Sequence, residues 1–175
     1  MFKTIKVDVH VDEAVISKNE PWTVIEPVWW SIETHNGPVA YEETGRRFTT
    51  SQRQVAAMGW YSAEVDNGGH DQFYGNSTGI VWREALEGFC AAAMADIAAI
   101  LRESVRRLGG DPPLDTKQRR RLLDASAPNF GDLDEQFYAI GREHNFEARI
   151  MRFIRERPDQ FFYHGPIEKT VRVPH

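Results

Sequence analysis

The sequence contains a single cysteine and no long run of apolar residues. Cys90 has no second thiol to pair with, which agrees with a reducing compartment. The longest weakly polar run, residues 88–101, is interrupted by Asp96, whereas a membrane-spanning helix needs about 18 or more apolar residues. The first six residues include charges and lack the apolar core of a secretion signal. We therefore expect a cytoplasmic protein that makes no membrane contact.

A surplus of basic residues is also absent. The chain has 21 lysines and arginines against 26 acidic residues, and its acidic excess lies in residues 1–101, which hold 14 acidic and 7 basic side chains. Such a balance opposes broad binding to phosphates, so direct contact with nucleic acid is not expected. The one basic run, Lys117, Arg119, Arg120 and Arg121, is predicted to be the solvated face of a helix.

The composition is that of an ordinary folded protein. Hydrophobic residues make up 41% and charged residues 27% of the 175 positions, which separates the chain from disordered and collagenous classes. No internal repeat and no linker long enough to divide the chain is present. We expect a single domain over residues 1–175, with terminal strand segments at 1–12 and 168–173 and a helical core at 22–162.

Strict alternation marks both ends of the chain. Ile5, Val7, Val9 and Val11 point one way and the intervening polar residues the other, which predicts a half-buried strand. Residues 170–173 repeat this period. The two segments are expected to form a small β-ribbon that leans on the helices, because an isolated two-stranded ribbon is marginally stable.

Between the two ends the apolar pattern is helical, so the fold class is predicted to be mainly α, a helical bundle around a central alanine-rich helix. Capping boxes open the first helix at Thr23 and the second at Thr49, with a loop between them through Tyr41 and Phe48. The alanine-rich helix is predicted from Trp82 to Gly109. A short basic helix covers 117–125, and a last helix runs from Asp132 to Pro158 with His144 in its core.

The densest polar segment is residues 64–79, which hold four glycines and two asparagines between apolar helices. Asn67-Gly68-Gly69 can adopt positive φ and so end the incoming helix. The side chain of Asn76, Ser77 or Thr78 can then cap the outgoing helix. The predicted binding residues belong to this segment: Glu64, Asp66, Asn67, Gly68, Gly69, His70, Asp71, Gln72 and Asn76.

An enzymatic interpretation of the same segment has less support in the sequence than the binding interpretation. Glu64, His70 and Asp71 could form an acid-base group, which leaves a small-ligand or hydrolytic site at residues 67–79 as the alternative function. However, the segment lacks the spacing of a phosphate-binding loop or a dinucleotide motif. No two of the six histidines have the four-residue spacing of a helical zinc site, so no metal and no cofactor is expected. Cys90 is interpreted as a small buried hydrophobe.

Three segments of this chain resemble a bacterial family of small helical proteins known as the DNA-mimic family. They are residues 64–79, the alanine-rich segment after Trp82, and residues 130–138, and the resemblance spans about residues 22–162. It implies an all-helical protein, dimerisation and, for at least one relative, an acidic surface that occupies a DNA-binding protein. The family has no catalytic residues to carry over. The 21 basic residues of this chain differ from the predominantly acidic surface that the resemblance implies.

The leading hypothesis is a non-enzymatic binding protein whose acidic face binds a basic protein, such as a DNA-binding regulator or a nuclease. The carboxylates expected on that face are Glu20, Glu26, Glu33, Glu42, Glu43, Glu64 and Asp66. A third reading is an oligomeric scaffold, because Trp22, Trp29 and Trp30 cluster where large rings fill a core or a dimer interface. That reading predicts an exposed apolar patch near Trp29 and Trp30.

Overall fold

The structure, a computed structural model, describes residues 2–143 and 145–172, with the backbone alone at 142 and 143. Helical residues make up 66% of it, which confirms the mainly α prediction. The helices of the described residues are α1 (Glu13–Ile16), α2 (Pro21–Trp29), α3 (Gly37–Gly45), α4 (Thr50–Gly75), α5 (Trp82–Ala91), α6 (Ala95–Arg107), α7 (Thr116–Ser126), α8 (Gly131–Glu143) and α9 (Phe146–Arg155), with 3₁₀ turns at Ser77–Val81 and Pro158–Gln160. None of them is both long and apolar enough to cross a membrane.

The termini pair as predicted, in an antiparallel ribbon of β1 (Phe2–Val11) and β2 (Tyr163–Arg172). β2 begins five residues before the predicted start at 168, and residue 173 lies outside the described residues. Gly165 and Pro166 concealed this extension, because both residues are unusual in strands. In a two-stranded ribbon every strand is an edge, so a proline without an N–H is tolerated there. Val11 and Ile167 are each 2% exposed, and they anchor the ribbon to the helices.

The first two helices differ from the predicted ones. α2 begins at Pro21 rather than Thr23, and Thr23 Oγ1 donates to Glu20 Oε2 at 3.1 Å, so no capping box forms between Thr23 and Glu26. The proline was the better start signal, because its missing N–H is one that the first turn leaves unpaired anyway. The predicted loop through Tyr41 is in fact α3. Gly37, at φ +88°, is the first residue of that helix.

α4 is the long helix that the other helices surround, in contact with α2, α5, α7 and α8. Its start confirms the predicted capping box: Thr49 Oγ1 accepts from Gln52 N at 3.1 Å, and Gln52 Oε1 accepts from Thr49 N at 3.0 Å. The predicted bend exists at Gly68 and Gly69, but it is a kink and not an end. The helix resumes at His70 and continues to Gly75.

The alanine-rich segment forms two helices, α5 and α6, instead of the one long helix expected. Ala93 has a φ of +54° between them, and Met94 N donates to Phe89 O at 2.8 Å. The break places Met94 in the core at 0% exposure. Apolar spacing alone cannot reveal such a break, because the periodicity resumes in register after it. The glycines after α6 have positive φ, +94° at Gly109 and +90° at Gly110, as predicted for its end.

The predicted last helix is likewise divided, into α8 and α9. Asn145 caps α9, with Oδ1 accepting from Ala148 N at 2.9 Å. The predicted core histidine, His144, lies outside the described residues. The predicted burial of Cys90 was wrong. Its side chain is exposed at the end of α5. Phe89 before it and the three alanines after it made the segment appear more buried than it is.

The basic helix α7 agrees with the predicted range, but its basic run is not uniformly solvated. Arg119 is fully buried, while Lys117, Arg120 and Arg121 are exposed. The Arg119 guanidinium donates to the backbone carbonyls of residues 74, 76, 113 and 114 at 2.6–2.9 Å. Burial lowers its pKa from 12.5 to about 10. Arg119 therefore ties α7 to the end of α4 through neutral acceptors.

Candidate functional site: the kink of α4

The kink depends on glycine at position 69. Gly69 has φ +72° and ψ −174°, a backbone conformation that residues with a Cβ almost never adopt. A Cβ at this position would lie 2.5 Å from Asp134 Oδ2 of α8. Glycine therefore permits both the turn and the close approach of the carboxylate.

At the kink, two buried side chains and one partly buried carboxylate form a series of hydrogen bonds. Tyr61 Oη lies 2.8 Å from His70 Nε2, and His70 Nδ1 lies 2.5 Å from Asp134 Oδ1. The same carboxylate oxygen accepts from the backbone N–H of His70 at 3.0 Å. This arrangement assigns the proton of the neutral imidazole to Nδ1 and makes Nε2 the acceptor for the tyrosine hydroxyl. Asp134 thus binds the backbone and the side chain of His70, the residue at which α4 resumes after the kink.

Burial keeps His70 neutral. Its side chain is fully buried, and desolvation lowers its pKa below the ordinary value of 6.5, although the hydrogen bond to Asp134 opposes this shift. Aromatic rings of Tyr61, Tyr74 and Phe130 surround the imidazole. The ring has no exposed surface through which a substrate could reach it.

Glu64, which precedes the kink, is hydrogen-bonded to residues that follow it. Its carboxylate accepts from Gln72 Nε2 at 2.7 Å, from Asn76 Nδ2 at 2.8 Å and from Thr78 Oγ1 at 2.6 Å. Asn67 donates to Gln72 Oε1 at 3.0 Å. Asn76 and Thr78 therefore orient a carboxylate, and no side chain caps the 3₁₀ turn that follows α4, contrary to the predicted cap.

Asp66 and Asp71 are the exposed carboxylates of the kink. Desolvation raises the pKa of Asp66, against a weak hydrogen bond from Ser62. Desolvation and then the negative charge of Asp134 raise the pKa of Asp71. The hydroxyl of Tyr138 also has its pKa raised, by burial and then by Asp134 and Asp66. The side chains of Asp66, Asp71, Asp134 and Tyr138 therefore lie near one another at the kink.

We call Glu64, Asp66, Asp71 and Asp134 the acidic kink. No lysine or arginine whose side chain the structure describes forms an ion pair with any of them. The partners of Glu64 are neutral side chains, and the partner of Asp134 is a neutral histidine. Arg107, whose charge reaches His70, is itself bound to Asp132 and Glu103.

Three of the other predicted acidic residues do have a basic side chain as partner. Glu26 pairs with Lys169 at 2.5 Å and Glu42 with Arg53 at 2.9 Å. Glu33 lies 3.3 Å from His35. Glu20 accepts from the neutral hydroxyl of Thr23, and neither Glu20 nor the exposed Glu43 forms an ion pair within the described residues. Cationic partners therefore offset part of the charge that the first half of the sequence was expected to present.

Among the predicted binding residues, the structure brings together Glu64, Asn67, Gln72 and Asn76 in one hydrogen-bonded group. It separates His70 from Asp71, since the imidazole is buried and the carboxylate is exposed. Sequence reasoning missed Asp134, which lies 64 residues from His70. A signal was present in residues 130–138, whose acidic stretch follows a glycine, but nothing local indicates which histidine it meets.

A groove of about 660 Å³ opens on another side of α4. The indoles of Trp22 and Trp29, 38% and 37% exposed, form one wall, and small residues of α4 including Gly59 and Ala63 line the groove beneath them. Phe137, Tyr138 and Phe146 also line it. Trp22 Nε1 donates to Glu147 Oε1 at 2.7 Å. The predicted exposed aromatic patch is present, because Trp30 is also 40% exposed.

Within the described ranges, no group of three or more His, Cys, Asp or Glu side chains is placed to hold a metal ion.

In the comparisons with known proteins, the family model described as DMP19-like protein matches residues 46–157. This range includes α4 to α9 and hence all four carboxylates of the acidic kink. No curated protein and no solved structure matches the chain significantly.

Proposed function

The chain belongs to the DMP19-like family of DNA-mimic proteins, and from this membership we propose that it is a non-enzymatic protein that binds a basic protein partner through the acidic kink. The partner is a protein whose basic surface otherwise holds DNA, such as a transcription regulator or a nuclease. The binding residues are those of the kink, with the carboxylates of Glu64, Asp66, Asp71 and Asp134 as the charged groups.

The observation that carries the proposal is the lack of cations paired with these four carboxylates in the described structure. Duplex DNA presents one negative charge per about 1.7 Å of its axis, so a protein that replaces it needs carboxylates whose charge is not internally offset. Asp66 and Asp71 meet this requirement and are exposed. The exposed carboxylate of Glu42 does not, because Arg53 already pairs with it.

The kink also holds its carboxylates in fixed positions, which favours binding. Glu64 is fixed by three hydrogen bonds and Asp134 by two. Groups that are already ordered lose little conformational entropy when a partner binds. An acidic surface of this kind accelerates association with a basic partner and makes its affinity dependent on salt.

The test is capture of a partner followed by displacement with DNA. The immobilised chain is incubated with native lysate at low ionic strength, and bound proteins are eluted with duplex DNA. We expect at least one basic DNA-binding protein in the DNA eluate and the loss of its binding as salt is raised. A captured protein that DNA does not displace contradicts the proposal.

The acidic kink is tested with matched variants. Asp66→Asn with Asp71→Asn removes two charges at the kink and should weaken capture by about tenfold or more at low salt. Asp8→Asn with Asp159→Asn removes the same charge by the same chemistry at exposed positions on β1 and in the last 3₁₀ turn. This control should bind as the natural chain does. Equal weakening by both variants would mean that net charge, and not the kink, determines binding.

A further inference from the structure

The groove beside Trp22 has the chemistry of a site for an organic cation. Aromatic side chains line it, and an aromatic face attracts a cation that lies within about 6 Å of the ring centre. Trp22 stacks on Phe146 and Trp29 on Trp60, yet Trp22 and Trp29 are each more than a third exposed, so part of each indole is available to a bound group. A volume of about 660 Å³ lies within the range of about 300–1,000 Å³ that is typical of ligand sites.

Among the side chains that the structure describes, the charged residues that line the groove are two carboxylates and one arginine that is paired with a carboxylate of α6. Asp66 and Glu147 line it, and in the described structure their side-chain partners are the neutral groups of Ser62 and Trp22. Arg149 also lines it, but Asp96 binds its guanidinium through two bonds of 2.6 and 2.7 Å. The described side chains of the groove therefore carry an excess of negative charge beside its aromatic residues.

Asp66 is the residue that connects this groove to the acidic kink, because it belongs to both. Its carboxylate is partly desolvated, which raises its pKa. A cation placed beside it would restore the interactions that the carboxylate loses on leaving water. The groove and the kink are thus one continuous surface that changes from charged to aromatic.

From these observations we propose that the groove binds an arginine side chain of the basic partner, stacked on Trp22 and Trp29 and paired with Asp66. This inference rests on the proposed function and names the part of the partner that the groove accepts. Arginine fits better than lysine, because its planar guanidinium stacks on aromatic faces and also pairs with a carboxylate through two hydrogen bonds. Arginine and tryptophan are also the residues that contribute most to binding at protein interfaces.

The direct test uses a capped peptide, acetyl-Gly-Arg-Gly-amide, and its neutral counterpart in which citrulline replaces arginine. Binding is followed by NMR through the indole N–H signals of the five tryptophans. We expect a saturable shift of the Trp22 and Trp29 signals with the arginine peptide and none with the citrulline peptide. Equal shifts with both peptides, or a shift confined to Trp30, would overturn the inference.

Two variants and a matched control locate the site. Trp22→Leu and Asp66→Asn should each weaken the arginine peptide on the order of fivefold, since each removes one of the two attractions. Trp30→Leu should leave binding unchanged, because Trp30 is exposed to the same degree but does not line this groove. If both Trp22→Leu and Asp66→Asn bind as tightly as the natural chain, the site is not in the groove.

The occupant is distinguished by two further measurements. If sedimentation shows a dimer that Trp22→Leu dissociates, the groove is an interface between two copies and the inference fails. If a partner that DNA displaces is captured equally by the natural chain and by Trp22→Leu, the inference fails while the proposed function stands. If no such partner exists, the proposed function fails, and the peptide titration still decides whether the groove binds a guanidinium.

Discussion

Two sides of α4 differ in how completely they are filled. On the kink side, large aromatic rings pack around Tyr61 and His70, and each polar group there has a hydrogen-bond partner. On the groove side, α4 presents Gly59, Ser62 and Ala63, and a volume of about 660 Å³ stays open beside them. The same helix therefore serves as a rigid support on one side and as the base of an open surface on the other.

This difference shows that neighbouring positions of α4 determine separately how tightly the kink side is packed and how open the groove is to a bound group. Positions 61 and 65 are bulky and fully buried, whereas positions 59, 62 and 63 carry small side chains. Close packing makes the first side sensitive to any change of volume. The second side can accept additional atoms, because its neighbours, above all Trp22, lie partly in solvent.

The largest effect is expected from Arg119, which binds α7 to the end of α4. Arg119→Met should lower the free energy of unfolding by about 3–5 kcal/mol, because it leaves buried carbonyl groups without donors. Denaturant unfolding followed by circular dichroism measures this loss. Arg120→Met is the control: this neighbour is exposed and donates only to Gly75 O, so about 1 kcal/mol or less is expected. Similar losses in both variants would contradict the structural role of Arg119.

The next effect concerns the turn itself. Gly69→Ala should lower the free energy of unfolding by about 2–4 kcal/mol, through backbone strain and overlap with the Asp134 carboxylate. Gly109→Ala has the same sign of φ but no atom within 4 Å of the new Cβ, so it isolates the strain alone. We expect a loss of about 1 kcal/mol there. If the two variants unfold alike, contact with Asp134 does not determine the kink.

A smaller effect should appear in the dependence of stability on pH. The unfolded chain protonates His70 near its ordinary pKa of 6.5, whereas the folded chain does so only at a lower pH. The stability from neutral His70 is therefore complete above pH 6.5 and is lost as the pH falls towards the lowered pKa. His70→Gln should cost about 1–2 kcal/mol at neutral pH through its hydrogen bonds.

Unfolding of the natural chain and of His70→Gln, measured at pH values between 5 and 8, checks this prediction. The difference in stability between them should shrink as the pH falls below about 6.5, because only the natural chain has this histidine to protonate. A constant difference over the range would show that His70 keeps an ordinary pKa in the folded chain.

The smallest effect is expected on the groove side. Gly59→Ala places a Cβ 2.8 Å from the Trp22 ring, yet that ring is partly exposed and can move. The helix gains about 1 kcal/mol from replacing a glycine with alanine, so the net change should lie within about 1 kcal/mol of zero. Thermal unfolding measures the change. A loss as large as that of Gly69→Ala would show that Trp22 is held as tightly as the kink.

Much of the fold was predictable, because its signals are local. The alternation of Ile5, Val7, Val9 and Val11 predicted β1, and the Thr49 capping box predicted the start of α4. The breaks within the alanine-rich segment and the last predicted helix were not predicted, since apolar spacing is the same on both sides of them. Residues 66 and 71 were among the predicted binding residues, but Asp134 was not, and neither was the groove.

The sequence by itself determined the helical class, the terminal ribbon and the position of the bend, because periodicity, capping residues and glycine act over a few neighbouring positions. Only the tertiary structure decided that Asp134 meets His70, that Arg119 is buried, and which carboxylates have cationic partners. These facts depend on residues far apart in the chain. Their contacts are fixed when the helices pack, and no local pattern records them.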